Sequence, residues 1–217
     1  MSGTSALQSS RRSSAKPSLI QRQFRLPQGS LGRIVGWVMA GENRRMNQMA
    51  IDWLDVGPGE DVLEIGFGPG HALELLVERT AARAIAGIDL SSVMVDQAVA
   101  RNRQAIDAGR VSLALGSVDA LPFADGQFSR VLAVSNFHIW PSRAAGLREV
   151  HRVLRPGGRL VLCARRKLAS PWPWSSPGIS AAQLRQDQEL LEECGFHDVH
   201  LATRKVKRRL ACLVASK

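Results

Sequence analysis

Apolar positions along this chain follow two periods in turn. Short β-branched or aliphatic runs at 61–65, 84–88, 111–115, 129–135, 158–164, 197–204 and 209–215 predict strands. Between the first five, apolar residues recur at helical spacing near 71–80, 92–106 and 142–154, with a further helix near 180–194. Ser91, Ser142 and Ser180 stand at the predicted helix starts as N-caps, and Ser180 with Gln183 reads as a capping box. Gly195 follows the last helix as its C-terminal cap. Strand–helix alternation predicts an α/β fold, a doubly wound and mostly parallel sheet of seven strands with right-handed crossovers. The last two strands are separated only by a basic turn around Lys205 to Arg208, so they are expected as an antiparallel hairpin at one edge. Upstream, Leu31, Ile34, Val35 and Val38 mark a helix over 30–39. Met46, Met49, Ala50, Trp53 and Leu54 form a stripe on another over 43–54, read as core packing. Residues 1–25 are rich in Ser, Arg and Gln and read as a disordered basic leader to a single domain over 26–217.

The first strand carries the chemistry. Val62-Leu63-Glu64-Ile65-Gly66-Phe67-Gly68-Pro69-Gly70 is an apolar run with an acid near its end, breaking into three glycines at alternate positions ahead of a helix. Such a strand–turn–helix is how open α/β sheets bind nucleotide-like ligands. A dinucleotide fingerprint, Gly-x-Gly-x-x-Gly, requires glycine at position 71, where this chain has His71. About twenty residues on, Ala84-Ile85-Ala86-Gly87-Ile88-Asp89 is a second strand ending in an acid, the place from which a carboxylate grips ribose hydroxyls.

With Glu64-x-Gly66-x-Gly68-x-Gly70, Gly87-Ile88-Asp89-Leu90-Ser91, the segment Gly116 to Phe123 and the segment His151 to Leu160 in this order, the chain resembles the class I S-adenosylmethionine-dependent methyltransferases over roughly residues 45–165. It is most similar to the branch acting on small molecules, quinone-precursor methyltransferases included. The resemblance implies a Rossmann-like sheet and S-adenosylmethionine as cofactor. Gly66, Gly68 and Gly70 would then bring backbone N–H groups and a helix N-terminus to the cofactor's methionine end. Glu64 would meet its amino group or buttress the loop, and Asp89 would accept from the ribose hydroxyls or serve as a helix N-terminal acid ahead of Ser91. Leu90 and Met94 suit adenine packing, Met94 equally a core role. Asp119 with Ala120 would meet the adenine edge, or Asp119 would cap a turn. Ser135 completes the cofactor set.

Methyl transfer from a sulfonium is an in-line displacement, so a protein has mainly to align the reactants. A general base is needed only for a protonated nucleophile. The segment Val134 to Pro141 follows the fourth strand, where the acceptor is expected. His138 there is either a base or substrate-orienting residue or a structural histidine. Asn136 and Phe137 are expected to line the acceptor pocket, and Trp140 to line it or to pack. Trp37, on the helix over 30–39, is a further candidate for the acceptor side. Ser170-Pro171-Trp172-Pro173-Trp174 is too proline-rich for a helix, and its tryptophans mark a lid over an apolar or aromatic acceptor or a hydrophobic plug.

The formal charge of +10 belongs to the ends, because residues before Leu26 carry +5 and those from Arg204 onward +6, leaving the body near −1. This fits solvated termini, or contact with an anionic membrane surface or acidic partner. Amine methyltransferases of bases resemble one another in an Asp/Asn-Pro-Pro-Tyr/Phe loop, which Ser135-Asn136-Phe137-His138 lacks, and no cysteine follows proline. Both absences argue against a nucleic-acid substrate. The chain has no tyrosine, which excludes a Tyr-x-x-x-Lys dehydrogenase site. No metal-ligand spacing occurs, no apolar run approaches a membrane span, and the N-terminus lacks a signal-peptide core. Three scattered cysteines fit a reducing cytoplasm. The reading is a cytoplasmic methyltransferase for a small, apolar or aromatic acceptor. The alternatives are a membrane-surface lipid or quinone methyltransferase using the basic ends, and a non-catalytic cofactor-binding domain.

Overall fold

The computed structural model describes residues 44–167, 178–202 and 210–217. Seven strands form one sheet: β1 (Asp61–Ile65), β2 (Ala84–Asp89), β3 (Val111–Leu115), β4 (Phe128–Val134), β5 (Leu154–Arg165), β6 (His197–Ala202) and β7 (Leu210–Ser216). Their spatial order is β3-β2-β1-β4-β5-β7-β6. The first five are mutually parallel, whereas β7 runs antiparallel to both β5 and β6. This is the expected doubly wound sheet with an antiparallel C-terminal edge.

The helices are α1 over 44–54, α2 (His71–Arg79), α3 (Ser92–Arg101), α4 (Arg103–Asp107), α5 (Arg143–Val153) and α6 (Ala181–Glu193). They cover both faces of the sheet, which is why the strands are apolar on both sides instead of alternating. Val62, Leu132 and Val161 meet α1 and α2 on one face. Leu63, Val131 and Leu160 meet α5 and α6 on the other. Met46, Met49, Ala50 and Leu54 of α1 are buried in the first of these cores, as their spacing predicts, while Trp53 is only partly buried against it.

Ser91, Ser142 and Ser180 each accept a backbone N–H at a helix start. The capping box is half made: Ser180 Oγ accepts from Gln183 N, but the Gln183 amide donates to Asp187 instead of returning to the cap. Gly195 has φ +94°, the left-handed turn expected after α6. The single helix expected over 92–106 is broken at Asn102, whose side-chain amide donates to the Ala98 carbonyl (3.0 Å) and to the Gly70 carbonyl (3.2 Å). Asparagine competes for backbone partners in this way, and here the competition ties α3 to a loop more than thirty residues away. β5 begins at Leu154, earlier than expected, because Gly157 and Gly158 pair with the backbone of Lys217 and so join the sheet.

The cysteines require a correction. Cys163 and Cys212 are directly opposed in the β5–β7 register, with Cα atoms 4.1 Å apart, and are joined as a disulfide; Cys194 is free. A separation of 49 residues hid the pair in the sequence, and the antiparallel register removes that separation. Among the described residues no helix is long and apolar enough to cross a membrane. The expected leader, the helix over 30–39 with Trp37, the loop with Trp172 and Trp174, and the basic turn at 205–208 lie outside the described residues.

Candidate functional site

β1 and β4 are neighbours while chain order runs outward from them on both sides, so the switch point of the sheet lies between their carboxyl ends. Three turns converge there, after β1, β2 and β4. The turn after β1 is the glycine run. Gly66, Gly68 and Gly70 all take positive φ (+65°, +54° and +82°), a conformation costly for residues with a Cβ. Their surroundings differ. A Cβ on Gly66 would lie 2.5 Å from Asn136 Nδ2, and one on Gly70 would lie 2.6 Å from Asn102 Nδ2. Around Gly68 there is open space. Two of the glycines therefore admit the protein's own amides, and only the middle one faces an unfilled approach. Gly87, in β2, is small for a related reason: its Cβ would lie 2.7 Å from the Phe67 ring that packs over it.

The acid at the end of β2 is wired into this loop. Asp89 Oδ2 accepts the Gly68 N–H (2.8 Å) and Oδ1 accepts the Ser91 N–H (2.9 Å). Burial raises the Asp89 pKa, and the N–H donors of Ser91, Gly68 and Leu90 partly offset that. Glu64 sits beside it, only 3% exposed, and its Oε2 has no hydrogen-bond partner. Burial, then the Asp89 charge, holds the Glu64 carboxyl well above the usual range. A buried carboxyl group with an unpartnered oxygen costs stability, and it is an electrostatic invitation to a cation. His71, at the first position of α2, lies near Glu74 and also has an unpartnered buried Nε2; burial and then the Arg101 charge lower its pKa.

Leu90 follows Asp89 and is 46% exposed, an apolar side chain presented to the site's margin, whereas Met94 is buried. Asp119 is half-buried and accepts a hydrogen bond from the Ser117 hydroxyl, so the turn-capping alternative has a partner; Ala120 is exposed. This turn is held from below by Arg152, which donates to the carbonyls of Leu121 (3.1 Å) and Phe123 (2.8 Å) and pairs with Glu149 and Asp125. Glu149 also accepts the Leu121 N–H (2.8 Å). Arg152 and Glu149 had no assigned role in the sequence reading, although Arg152 lies within the His151–Leu160 motif. Nothing in the sequence pointed to Asn102, or to Arg101 on the Pro69 carbonyl (2.9 Å).

After β4 the chain turns sharply. Ser135 adopts φ +60°, its N–H donates to the Cys163 carbonyl (2.7 Å), and its hydroxyl lies 3.6 Å from Met46 Sδ. Asn136 points back at β1, donating to the carbonyls of Ile65 (2.6 Å) and Gly66 (3.1 Å), while its Oδ1 accepts the Trp140 indole N–H (2.9 Å). Phe137 and Trp140 are both buried and meet edge to face at 4.9 Å, and Trp140 packs on Gly146 of α5. His138 is the exposed residue of this stretch. Beneath it, Asp187 of α6 is buried and pairs with Arg143 and Gln183. Burial raises the Asp187 pKa; the Gln183 hydrogen bond and the Arg143 and His138 charges pull it back. Arg143 also lies 5.8 Å over the Phe137 ring. No cluster of three or more metal-ligating side chains occurs among the described residues.

Residues 62–158 match a family model described as a methyltransferase domain. The uncharacterized methyltransferase YdaC of Bacillus subtilis is 30% identical, with the match covering 85% of this chain and 98% of that protein. A ubiquinone/menaquinone biosynthesis C-methyltransferase of Geotalea uraniireducens is 32% identical over 56% of this chain, and the match spans only 52% of its length. Among solved structures, an S-adenosylmethionine-dependent methyltransferase from Aquifex aeolicus superposes with a TM-score of 0.67, at 17% identity, over 83% of this chain and 95% of that one.

Proposed function

The chain belongs to the class I S-adenosylmethionine-dependent methyltransferases, and from that premise we propose that it methylates a small, apolar or aromatic acceptor at the carboxyl ends of β1, β2 and β4 by in-line displacement. The observation that carries the site is the buried Glu64 carboxyl, with its Oε2 unpartnered, beside Asp89 under a glycine loop with one open approach. S-adenosylmethionine supplies a methyl group already activated on a sulfonium. Its ammonium is the cation that satisfies Glu64, and a ribose hydroxyl donates to the Asp89 carboxylate beside its backbone donors. The Gly68–Gly70 turn and the N-terminus of α2 receive its carboxylate. Leu90 offers an apolar face to adenine, with Met94 behind it and Asp119 and Ala120 at the adenine edge.

Because the donor is activated, the chain's remaining task is alignment and exclusion of water. His138 stands exposed at the acceptor turn as the group to take or orient an acceptor proton. Asn136, Phe137 and Trp140 shape that turn from beneath. Trp37, Trp172 and Trp174 are proposed to close the acceptor side, and Ser135 to border the donor. Residues 26–217 are taken as the methyltransferase domain, behind a basic leader over 1–25. The acceptor class rests on the apolar character of the Trp172–Trp174 segment.

Isothermal calorimetry with S-adenosylhomocysteine tests the site. Wild type is expected to bind saturably, and Asp89→Ala to lose at least about tenfold in affinity, roughly 1.4 kcal/mol. Absence of binding to wild type refutes the assignment. Homocysteine release measured over quinones, phenols, amines and lipids then identifies the acceptor class. The concentration of excess positive charge at the two ends favours a second reading, in which the enzyme works at an anionic membrane surface. Salt-sensitive sedimentation with anionic liposomes, lost on deletion of residues 1–25, distinguishes it from an enzyme that works free of membranes.

A further inference from the structure

We propose that Asn136 is a positioning residue that relays donor occupancy from the glycine loop to the acceptor turn. The inference rests on the cofactor reading above and adds an order to it: the donor side sets the acceptor side.

The Asn136 amide joins three elements. Its nitrogen donates to the carbonyls of Ile65 (2.6 Å) and Gly66 (3.1 Å), the point where β1 breaks into the glycine loop. Its oxygen accepts the Trp140 indole N–H (2.9 Å). The amide orientation is fixed by chemistry. Flipping it would set an oxygen against two carbonyl oxygens and a nitrogen against an N–H. The approach is also close: the absence of a Cβ on Gly66 is what admits the Asn136 side chain. A movement of the Ile65–Gly66 peptide therefore cannot leave Asn136 in place without breaking two hydrogen bonds.

What lies downstream is able to respond. Ser135, the residue before, holds φ +60° without being glycine, and such a conformation persists only while its surroundings impose it. The imposing contacts are the Ser135 N–H to the Cys163 carbonyl and the anchored Asn136 beside it. Trp140 carries the displacement further. Its ring leans on Phe137 edge to face and fills the notch left by Gly146, whose Cβ would lie 2.6 Å from it. Arg143, over Phe137 and paired with buried Asp187, lies on the same helix start. His138 sits between these anchors, so a shift of Trp140 re-aims it. A turn held to the glycine loop through Asn136, and biased by a ligand at that loop, would couple the two sites.

The readout is the Trp140 indole N–H signal in a proton–nitrogen correlation spectrum, assigned with Trp140→Phe. Calorimetry on wild type with S-adenosylhomocysteine comes first: no binding overturns the cofactor reading itself. Given binding, the Trp140 signal of wild type is expected to move on saturation with S-adenosylhomocysteine. In Asn136→Ala, at an S-adenosylhomocysteine concentration that calorimetry shows to saturate the variant itself, it is expected to stay fixed. If Asn136→Ala does not fold, Asn136→Ser serves, since it removes the amide that meets both carbonyls without setting a carboxylate against them. A Trp140 signal unmoved in saturated wild type, or moved equally in the variant, overturns the relay. A residue that only braced the fold would lower stability in both spectra without abolishing the ligand-dependent shift.

Discussion

Gly66→Ala is the most informative single substitution, because two separate costs meet at that position. A residue with a Cβ at φ +65° loses roughly 1–2 kcal/mol to the left-handed conformation. The new Cβ would also lie 2.5 Å from Asn136 Nδ2 and 2.9 Å from its Cγ, so the amide must leave. It then gives up hydrogen bonds to Ile65, Gly66 and Trp140, each worth about 1 kcal/mol net. The total is about 4–5 kcal/mol. Gly68→Ala is the internal control, since φ is +54° there but nothing lies in the way, and it should cost only about 1–2 kcal/mol. For a domain of this size 1 kcal/mol moves Tm by about 2–4 °C, so the two variants should be separated by roughly 5–15 °C. Urea denaturation of the ligand-free protein, followed by circular dichroism, supplies the free energies. In an Asn136→Ala background the penalty of Gly66→Ala should shrink to the backbone part alone, a coupling of about 3 kcal/mol. Equal costs for Gly66→Ala and Gly68→Ala, or an undiminished Gly66→Ala penalty in that background, would refute the reasoning.

The raised pKa of Glu64 has a definite sign in both stability and binding. Its stabilising neutral form is fully present below the unfolded value of about 4.3 and is lost as pH climbs toward the folded value. Glu64→Gln, neutral throughout, should therefore gain on ligand-free wild type in Tm as pH rises from about 5 to about 8; a constant difference would contradict it. Where Glu64 is still protonated, binding of S-adenosylhomocysteine should release a proton, seen as buffer-dependent enthalpy in calorimetry and absent in Glu64→Gln. Arg152→Ala frees the 121–123 turn of its two carbonyl donors and should cost about 1–3 kcal/mol in urea titrations. S-adenosylhomocysteine affinity should fall in the same variant. Thiol titration of the unfolded, unreduced chain should find one reactive cysteine, Cys194, and three after reduction. Reducing the 49-residue loop should cost about 4 kcal/mol by chain entropy.

Among the described residues, period and punctuation in the sequence were enough for the strands, the capping serines and every helix but the one over 92–106, because each depends on residues within one turn or one strand of each other. The Glu64–Gly70 and Gly87–Asp89 segments likewise pointed to the proposed donor site, since a strand ending in glycines and a strand ending in an acid are local features. What tertiary structure decided was pairing across distance. Asn136, expected at the acceptor pocket, also spans the gap between β4 and β1. Phe137 and Trp140 are both buried, and Trp140 packs on α5, the second of the two roles its sequence position allowed. Asn102 ended a helix that periodicity would have continued, by reaching Gly70, and Cys163 met Cys212 through sheet register. The glycines show the division most plainly. Their spacing was in the sequence, but which of them admits a ligand and which an amide of the protein depends on side chains brought from more than thirty residues away. Local periodicity cannot encode such contacts, because only folding sets the distance between them.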